Sequence, residues 1–168
     1  MQTFHQIRIA TPLGFIMVQS QQSLLHQIFW DQEQTKETSF FQEHSALVDD
    51  CLLETKQQLE EYFGGVRKSF TIPYHLPEES MHTLWLTSLG NIPYGKTISY
   101  AALASQVKIG ASPRTAGSAM ARNPLPIILP CHRVIRSDGT FGGYSLGGTS
   151  NKRFLLQLEE LKERKREK

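Results

Sequence analysis

Apolar and polar positions follow different periods in the two halves of the chain, and the change falls near residue 77. Residues 3–10 mix Thr, Phe and Ile in a β-favouring run. Thr11-Pro12-Leu13-Gly14 then forms a turn, Phe15–Val18 resumes the strand, Ser20–Ser23 turns again and Leu24–Trp30 completes a small antiparallel meander. The polar segment 31–44 reads as loop. Ser45 is placed to cap a helix whose apolar positions Val48, Cys51, Leu52, Leu59, Tyr62 and Phe63 recur at helical spacing, with Gly64-Gly65 as its end. Arg67–Pro73 reads as a further strand and 73–77 as a linker.

From Ser80 the period becomes helical. Met81–Leu89 is a short apolar helix, and 90–95 is a turn. Ser99 caps a helix over Tyr100–Val107, and Ser112 caps another, with Pro113 at its first position, over Arg114–Arg122. Helix, glycine-bearing turn, helix is the outline of a helix-turn-helix, which ordinary helix packing also produces. Within the second helix Ala116, Gly117, Ser118 and Ala119 leave little side-chain volume, and a mid-helix glycine costs about 1 kcal/mol relative to alanine. A partner that approaches closely, a helix or a nucleic-acid backbone gripped by Arg114 and Arg122, would explain that cost. Prolines 124, 126 and 130 forbid a helix over 123–134, so the segment reads as extended. Ser137-Asp138-Gly139 is a turn and Phe141–Gly148 a glycine-rich loop able to wrap a flat ligand. Thr149 or Ser150 opens a last helix with Phe154, Leu155, Leu158 and Leu161 as its packed face and Glu159 at the rim.

The fold class that follows is α+β: a small N-terminal antiparallel sheet with a helix over 1–77, and a mostly helical domain over 78–168. Charge divides the same way. Residues 1–80 hold 5 Lys/Arg against 11 Asp/Glu, a net of −6, and residues 81–168 hold 13 against 5, a net of +8, which together give the chain its +2. The second half is therefore the half able to meet phosphate, although the terminal Lys-Glu-Arg-Lys-Arg-Glu-Lys is read as a solvated helix end. No apolar run reaches membrane-spanning length and the first residues lack signal-peptide character, so a cytoplasmic protein is expected. Cys51 and Cys131 are too few for a disulfide framework. Neither Cys-x-x-Cys pairs nor metal-ligand spacing among His5, His26, His44, His75 and His82 suggest a metal. Cys51, on a helix face, reads as a core residue.

Cys131 is the candidate for chemistry. The apolar run Ile127-Ile128-Leu129 should carry it inside, and burial alone makes a thiol a poor nucleophile. His132 offers a base and Arg133 a positive charge, but in an extended backbone neighbouring side chains point to opposite faces, so a bridging water or a bend after Cys131 must complete the contact. On the dipeptide alone a core cysteine with chance neighbours is an equal reading.

The longer pattern Asn-Pro-x-Pro-x-x-x-Pro-Cys-His-Arg-Val, residues 123–134, resembles the active-site signature of the O6-alkylguanine-DNA alkyltransferases, with family-like spacing from Ile92 to Glu159 and a match of layout upstream. The resemblance implies a winged helix-turn-helix that enters the minor groove of double-stranded alkylated DNA. It implies Cys131 as alkyl acceptor, His132 as a base acting through water, Glu159 as its orienter and Asn123 as a brace of the active-site turn. Arg114 would fill the stack left by an everted nucleotide and Tyr100 would help turn it outward. The helix surface around Ala116, Gly117, Ser118 and Arg122 would meet DNA, while Tyr144, Ser145 and the backbone at Val134 would line the base pocket. Each molecule would act once, as a monomer, without cofactor or metal; cooperative assembly on DNA stays open. Some relatives carry zinc in the N-terminal domain on cysteine and histidine ligands, and the cysteines for that are missing here. Leu146 makes the pocket loop one residue longer than the common spacing. A thiol hydrolase using the same three groups and a helix-turn-helix binding module are the rival readings.

Overall fold

The structure, a computed structural model, describes residues 4–32, 48–77, 80–107 and 110–164. Most of the expected loop at 31–44, Ser45, Lys108-Ile109 and the last four residues of the basic tail lie outside the described residues. The chain divides into two compact units, Met1–Leu76 and Pro77–Lys168.

In the first unit β1 (His5–Thr11), β2 (Gly14–Gln21) and β3 (Leu24–Trp30) form an antiparallel sheet in the order β1-β2-β3. The register runs His5↔Ser20 to Thr11↔Gly14, and a bulge between Gln19 and Ser20 shifts the β2–β3 pairing. Helix α1 (Asp50–Phe63) packs on this sheet through Cys51, Leu52, Leu59 and Tyr62, against Ile9, Ile16, Val18 and Leu25. The cap is Asp49 rather than Ser45: its carboxylate accepts the Leu52 N–H at 3.0 Å and the Ser20 hydroxyl at 2.8 Å, which starts the helix two residues after Val48 and ties it to the bulged strand. Burial and the nearby Asp49 push the Cys51 thiol up to about 11, so this cysteine is inert at neutral pH.

The strand expected over Arg67–Pro73 does not form. The Thr71 N–H donates to the Gln58 side-chain oxygen at 3.0 Å and the Gln58 amide donates to the Thr71 hydroxyl at 2.8 Å, so a helix side chain takes a backbone donor that a ladder would have used. Pro73 has no N–H to offer. Only a single parallel bridge follows, Leu25↔Tyr74, in which Leu25 N–H meets the Pro73 carbonyl and His75 N–H the Leu25 carbonyl.

Among the described residues of the second unit the regular elements are helices and one short pair of strands. Ser80 caps α2 (Met81–Leu89), and after a turn β4 (Ile98–Ser99) leads straight into α3 (Tyr100–Val107), whose Ala102 N–H donates to the Ser99 hydroxyl at 3.0 Å. Ser112 and Thr115 form a reciprocal capping box at the head of α4 (Pro113–Ala121). Helices α2, α3 and α4 pack together around Trp85, Leu86, Leu89, Leu103 and Ala116. Beyond α4 the chain makes a braced turn, a single 3₁₀ turn at Cys131–Arg133 and β5 (Val134–Ile135), which pairs in parallel with β4, Ile98↔Val134 and Ser99↔Ile135. Helix α5 (Thr149–Arg164) closes the unit against the 3₁₀ turn.

Two expectations fail here. Residues 123–130 are not extended: Leu129 N–H donates to the Leu125 carbonyl at 2.8 Å, a bridge joins Pro126 and Leu129, and Ile127 takes a φ of 76°. Prolines exclude a helix but admit a turn, and a β-branched residue at positive φ is held only where its surroundings over-determine it. Asn123 does that, accepting from Leu125 N–H at 3.0 Å and donating to the Leu129 carbonyl at 2.8 Å. On α5 the buried stripe is Lys152, Leu155 and Glu159, whereas Phe154 and Leu161 are exposed. That stripe has helical spacing too, and it turns inward two polar groups that find partners there, Glu159 with Arg133 and Lys152 with the Val134 carbonyl. Among the described residues no helix is long and apolar enough to cross a membrane.

Replacing Asp49 with Ala should cost about 1–2 kcal/mol through loss of the cap, read as a lower urea midpoint with unchanged slope. An unaltered midpoint would mean that the two Asp49 contacts contribute nothing net.

Candidate active site

Cys131 opens the 3₁₀ turn, 3% exposed, at the wall of a cleft of about 670 Å³. Tyr100 and Ala101 from α3, Gly117 and Met120 from α4, and Tyr144 and Ser145 from the glycine-rich loop also line it. Burial pushes the thiol up. Four things oppose that: a hydrogen bond with the Asn123 side chain, the Lys152 charge, and the backbone N–H groups of Cys131 and His132 at the start of the turn. The cation near the thiol is therefore Lys152, not Arg133 as the sequence suggested.

Arg133 is committed elsewhere. Its guanidinium meets Glu159 in a fork, Nε to Oε2 at 3.0 Å and Nη2 to Oε1 at 3.0 Å, while Nη1 donates to the Ile92 carbonyl at 2.7 Å. His132 Nε2 lies 2.7 Å from Glu159 Oε1, and the Gly95 N–H donates to Oε2 at 3.0 Å. Glu159 is thus fully buried rather than at a rim. Burial by itself would raise its carboxyl, but His132 and the permanently charged Arg133 overcome it and hold the group at about 2. An ionised carboxylate only accepts, so Nε2 carries the hydrogen and Nδ1 carries the lone pair. Burial keeps the imidazole neutral by lowering it below 6.5, with Arg133 and Lys152 adding to that against the pull of Glu159.

Lys152 is the residue that sequence reasoning missed. It is 1% exposed, and its ammonium donates to the Val134 carbonyl at 2.7 Å and to the Tyr100 hydroxyl at 3.4 Å. Its signal was the spacing 152, 155, 159 on one helix, overshadowed by the more apolar stripe 154, 158, 161. Gly142 was missed as well: a Cβ there would lie 2.5 Å from the Tyr100 hydroxyl, so only glycine lets the loop pass over that ring. Tyr144 packs edge-on to His132 at 6.4 Å, and its hydroxyl is buried without a hydrogen-bond partner. Burial, with the charges of Cys131 and Glu159 behind it, pushes that phenol well above its ordinary value and keeps it a donor.

Other expected site residues are distributed differently. Gly117 faces the cleft, where an added Cβ would meet Tyr100 only at 4.0 Å, so no close packing inside the chain demands the glycine. Ala116 is fully buried between helices and cannot touch a ligand. Ser118 and Arg122 line a separate groove between α2 and α4, and Arg122 Nε donates back to the Ser118 carbonyl at 3.3 Å. Val134 is fully buried away from the cleft wall and its carbonyl accepts from Lys152. Arg114 is exposed near the head of α4. No group of three or more potential metal ligands occurs among the described residues.

Known proteins share this arrangement of sequence. A family profile described as 6-O-methylguanine DNA methyltransferase, DNA binding domain, matches residues 81–161, and one described as 6-O-methylguanine DNA methyltransferase, ribonuclease-like domain, matches residues 5–76. The constitutive methylated-DNA--protein-cysteine methyltransferase of Bacillus subtilis is 38% identical over 154 residues, covering 90% of this chain and 92% of that protein. The Archaeoglobus fulgidus methylated-DNA--protein-cysteine methyltransferase is 41% identical over 111 residues, 63% of this chain and 74% of that one. Among solved structures, the Mycobacterium tuberculosis O6-methylguanine methyltransferase superposes with a TM-score of 0.80 at 33% identity, covering 95% of this chain and 94% of that chain. Mycobacterium tuberculosis OGT in complex with DNA gives 0.78 at 30% identity, covering 94% of each.

Two measurements test the electrostatics. Glu159 releases its proton more readily folded, at about 2, than unfolded, at 4.5, so its stabilisation is complete above pH 4.5 and vanishes as pH falls toward 2. His132, lowered from 6.5, acts in the same sense: it contributes nothing above 6.5 and becomes a growing penalty as pH falls below that value, where the unfolded imidazole takes up a proton first. The urea midpoint should therefore drop steadily on acidification, and Glu159→Gln, which leaves the Arg133 charge buried without its counter-ion, should cost about 3–5 kcal/mol near neutrality; a midpoint indifferent to acid would refute this account. Replacing Lys152 with Met should move the pH profile of Cys131 alkylation by a small haloacetamide to higher pH, with Lys152→Arg moving it less. Coincident profiles for all three proteins would remove Lys152 from control of the thiol.

Proposed function

The chain belongs to the methylated-DNA--protein-cysteine methyltransferases, a family of DNA-repair enzymes, and on that footing we propose that Cys131 takes the alkyl group from O6-alkylguanine in duplex DNA. What carries the reading is a buried thiol on the wall of an open cleft, followed in the same 3₁₀ turn by a neutral imidazole that is hydrogen-bonded to an ionised carboxylate. Nucleophile, base and orienter follow the logic of a catalytic triad, turned here on a saturated carbon.

His132 Nδ1 takes the thiol proton through a bridging water, and Glu159 holds the ring in the tautomer this needs. The thiolate, favoured by Lys152 and Asn123, attacks the alkyl carbon. The carbon–O6 bond breaks, its electron pair stays with guanine, and the departing base is restored by a proton delivered in the site. The Tyr144 hydroxyl is a donor available to the base edge, and Tyr100, hydrogen-bonded to Lys152, is a second. The product is a thioether, from which the alkyl group has no easy exit, so each molecule acts once.

An O6 atom inside a stacked duplex cannot reach a thiol that is 3% exposed, so the nucleotide must leave the stack, at a cost of a few kcal/mol. Helices α3 and α4 read as a helix-turn-helix, and β5 with the turn after it as its wing. The α4 surface beside the cleft has Gly117 and Ala121 where larger side chains would block approach, which suits the shallow minor groove, with Arg114 entering the stack. The first unit has a supporting role, and the protein works as a monomer.

Intact mass measured before and after mixing with excess duplex containing O6-methylguanine tests the proposal. One added methyl group, mapped to the Cys131 peptide and absent in Cys131→Ser, is the expected result. Unmodified protein that still binds the duplex would point instead to a damage-binding module.

A further inference from the structure

The parallel pairing of β4 with β5 has a geometric corollary. Ser99 lies opposite Ile135, so the residues that follow, Tyr100 and Arg136, leave the two strands side by side at the same end, and both line the cleft. Tyr100 enters a helix and leans inward toward Lys152. Arg136 enters a tight turn in which its N–H donates to the Thr140 carbonyl and its own carbonyl accepts from Gly139 N–H, both at 2.9 Å. Its backbone is therefore fixed while its side chain is exposed at the mouth.

Three further observations distinguish Arg136 from an ordinary surface cation. Among the described residues that line the cleft it is the one charged side chain; the rest of that wall is glycine, alanine, serine, proline, methionine, tyrosine and the thiol. Its guanidinium makes no hydrogen bond or ion pair with a described residue, whereas Arg8, Arg67, Arg122 and Arg133 are all engaged. The acid nearest in sequence, Asp138, feels the Arg136 charge but is turned back into the turn, accepting from the Thr140 N–H at 2.9 Å and the Thr140 hydroxyl at 2.6 Å rather than from the guanidinium. The field of Arg136 nonetheless reaches into the site: it opposes the rise that burial and Cys131 impose on the Tyr100 phenol, and it adds to burial in lowering Lys152 against the pull of Cys131.

A nucleotide turned out of a duplex rotates about its own phosphodiesters, which must then pass over the mouth of whatever holds the base. A guanidinium is the side chain best shaped to take a phosphate there. We propose that Arg136 binds a phosphodiester flanking the everted nucleotide, closing the mouth opposite α4 and beside the Tyr100 hydroxyl. The assignment rests on the alkyl-transfer reading above and adds a binding residue to it.

The test compares wild type, Arg136→Gln and Arg136→Lys on duplex O6-methylguanine and on free O6-benzylguanine, which has no phosphate. Arg136→Gln should lower the duplex-to-free-base rate ratio about tenfold and make the salt dependence of duplex binding shallower by about one phosphate contact, with Arg136→Lys keeping most of that dependence. A single uncharged methylphosphonate placed on one side of the lesion should slow wild type and leave Arg136→Gln little further affected. Equal slowing of both substrates, an unchanged salt slope, or no coupling to a methylphosphonate on either side would overturn the assignment while wild-type transfer kept the alkyl-transfer reading intact. Wild type that transfers from neither substrate would overturn both.

Discussion

One buried carboxylate organises the second unit. Glu159 accepts from the imidazole of His132 and the guanidinium of Arg133, both on the 3₁₀ turn, and from the backbone N–H of Gly95, so that with its own helix it joins three segments of the chain. Taking such a charge out of water costs several kcal/mol, and the fork geometry with Arg133 is what makes it tolerable. Because Arg133 supplies the compensating charge, His132 is free to remain neutral. The ion pair stands behind the site so that the imidazole can act as a base.

The thiol has a different set of helpers. Its own burial works against ionisation, and no single group cancels that: Asn123, Lys152 and two backbone N–H groups each contribute in the same direction. Lys152 is held by the Val134 carbonyl and so cannot swing into solvent, and its second contact, the Tyr100 hydroxyl, links the thiol's electrostatics to the residue at the cleft mouth. Gly142 completes this coupling sterically, since a methyl group there would collide with the same hydroxyl.

Much of this was legible in the sequence where a local signal exists. Ser80, Ser99 and Ser112 announced three helices because a cap and the apolar period after it are both short-range, and the Asn-Pro signature singled out Cys131 and His132. What escaped notice depends on partners far apart in the chain. The choice of Lys152 over Phe154 as an inward residue is decided by a thiol and a carbonyl on another segment, and Arg133 was misassigned because its partner lies 26 residues on. Residues 67–73 have strand composition, but Gln58 takes the Thr71 N–H and Glu61 the Arg67 N–H. A two-residue parallel pair such as β4–β5 is too short to leave any period, although it sets the neighbours of the cleft.

The turn that presents Cys131 raises a question of chemical ageing. Its brace, Asn123, uses both ends of its amide, accepting from Leu125 and donating to the Leu129 carbonyl. Hydrolysis of that amide to a carboxylate would replace the donor with a negative oxygen facing a carbonyl and undo the turn. Asparagine ordinarily deamidates when the backbone nitrogen of the next residue attacks the side chain to form a cyclic imide, a route that needs an N–H. The next residue here is Pro124, which has none. The proline that helps to shape the turn therefore also closes the common path by which its brace would decay.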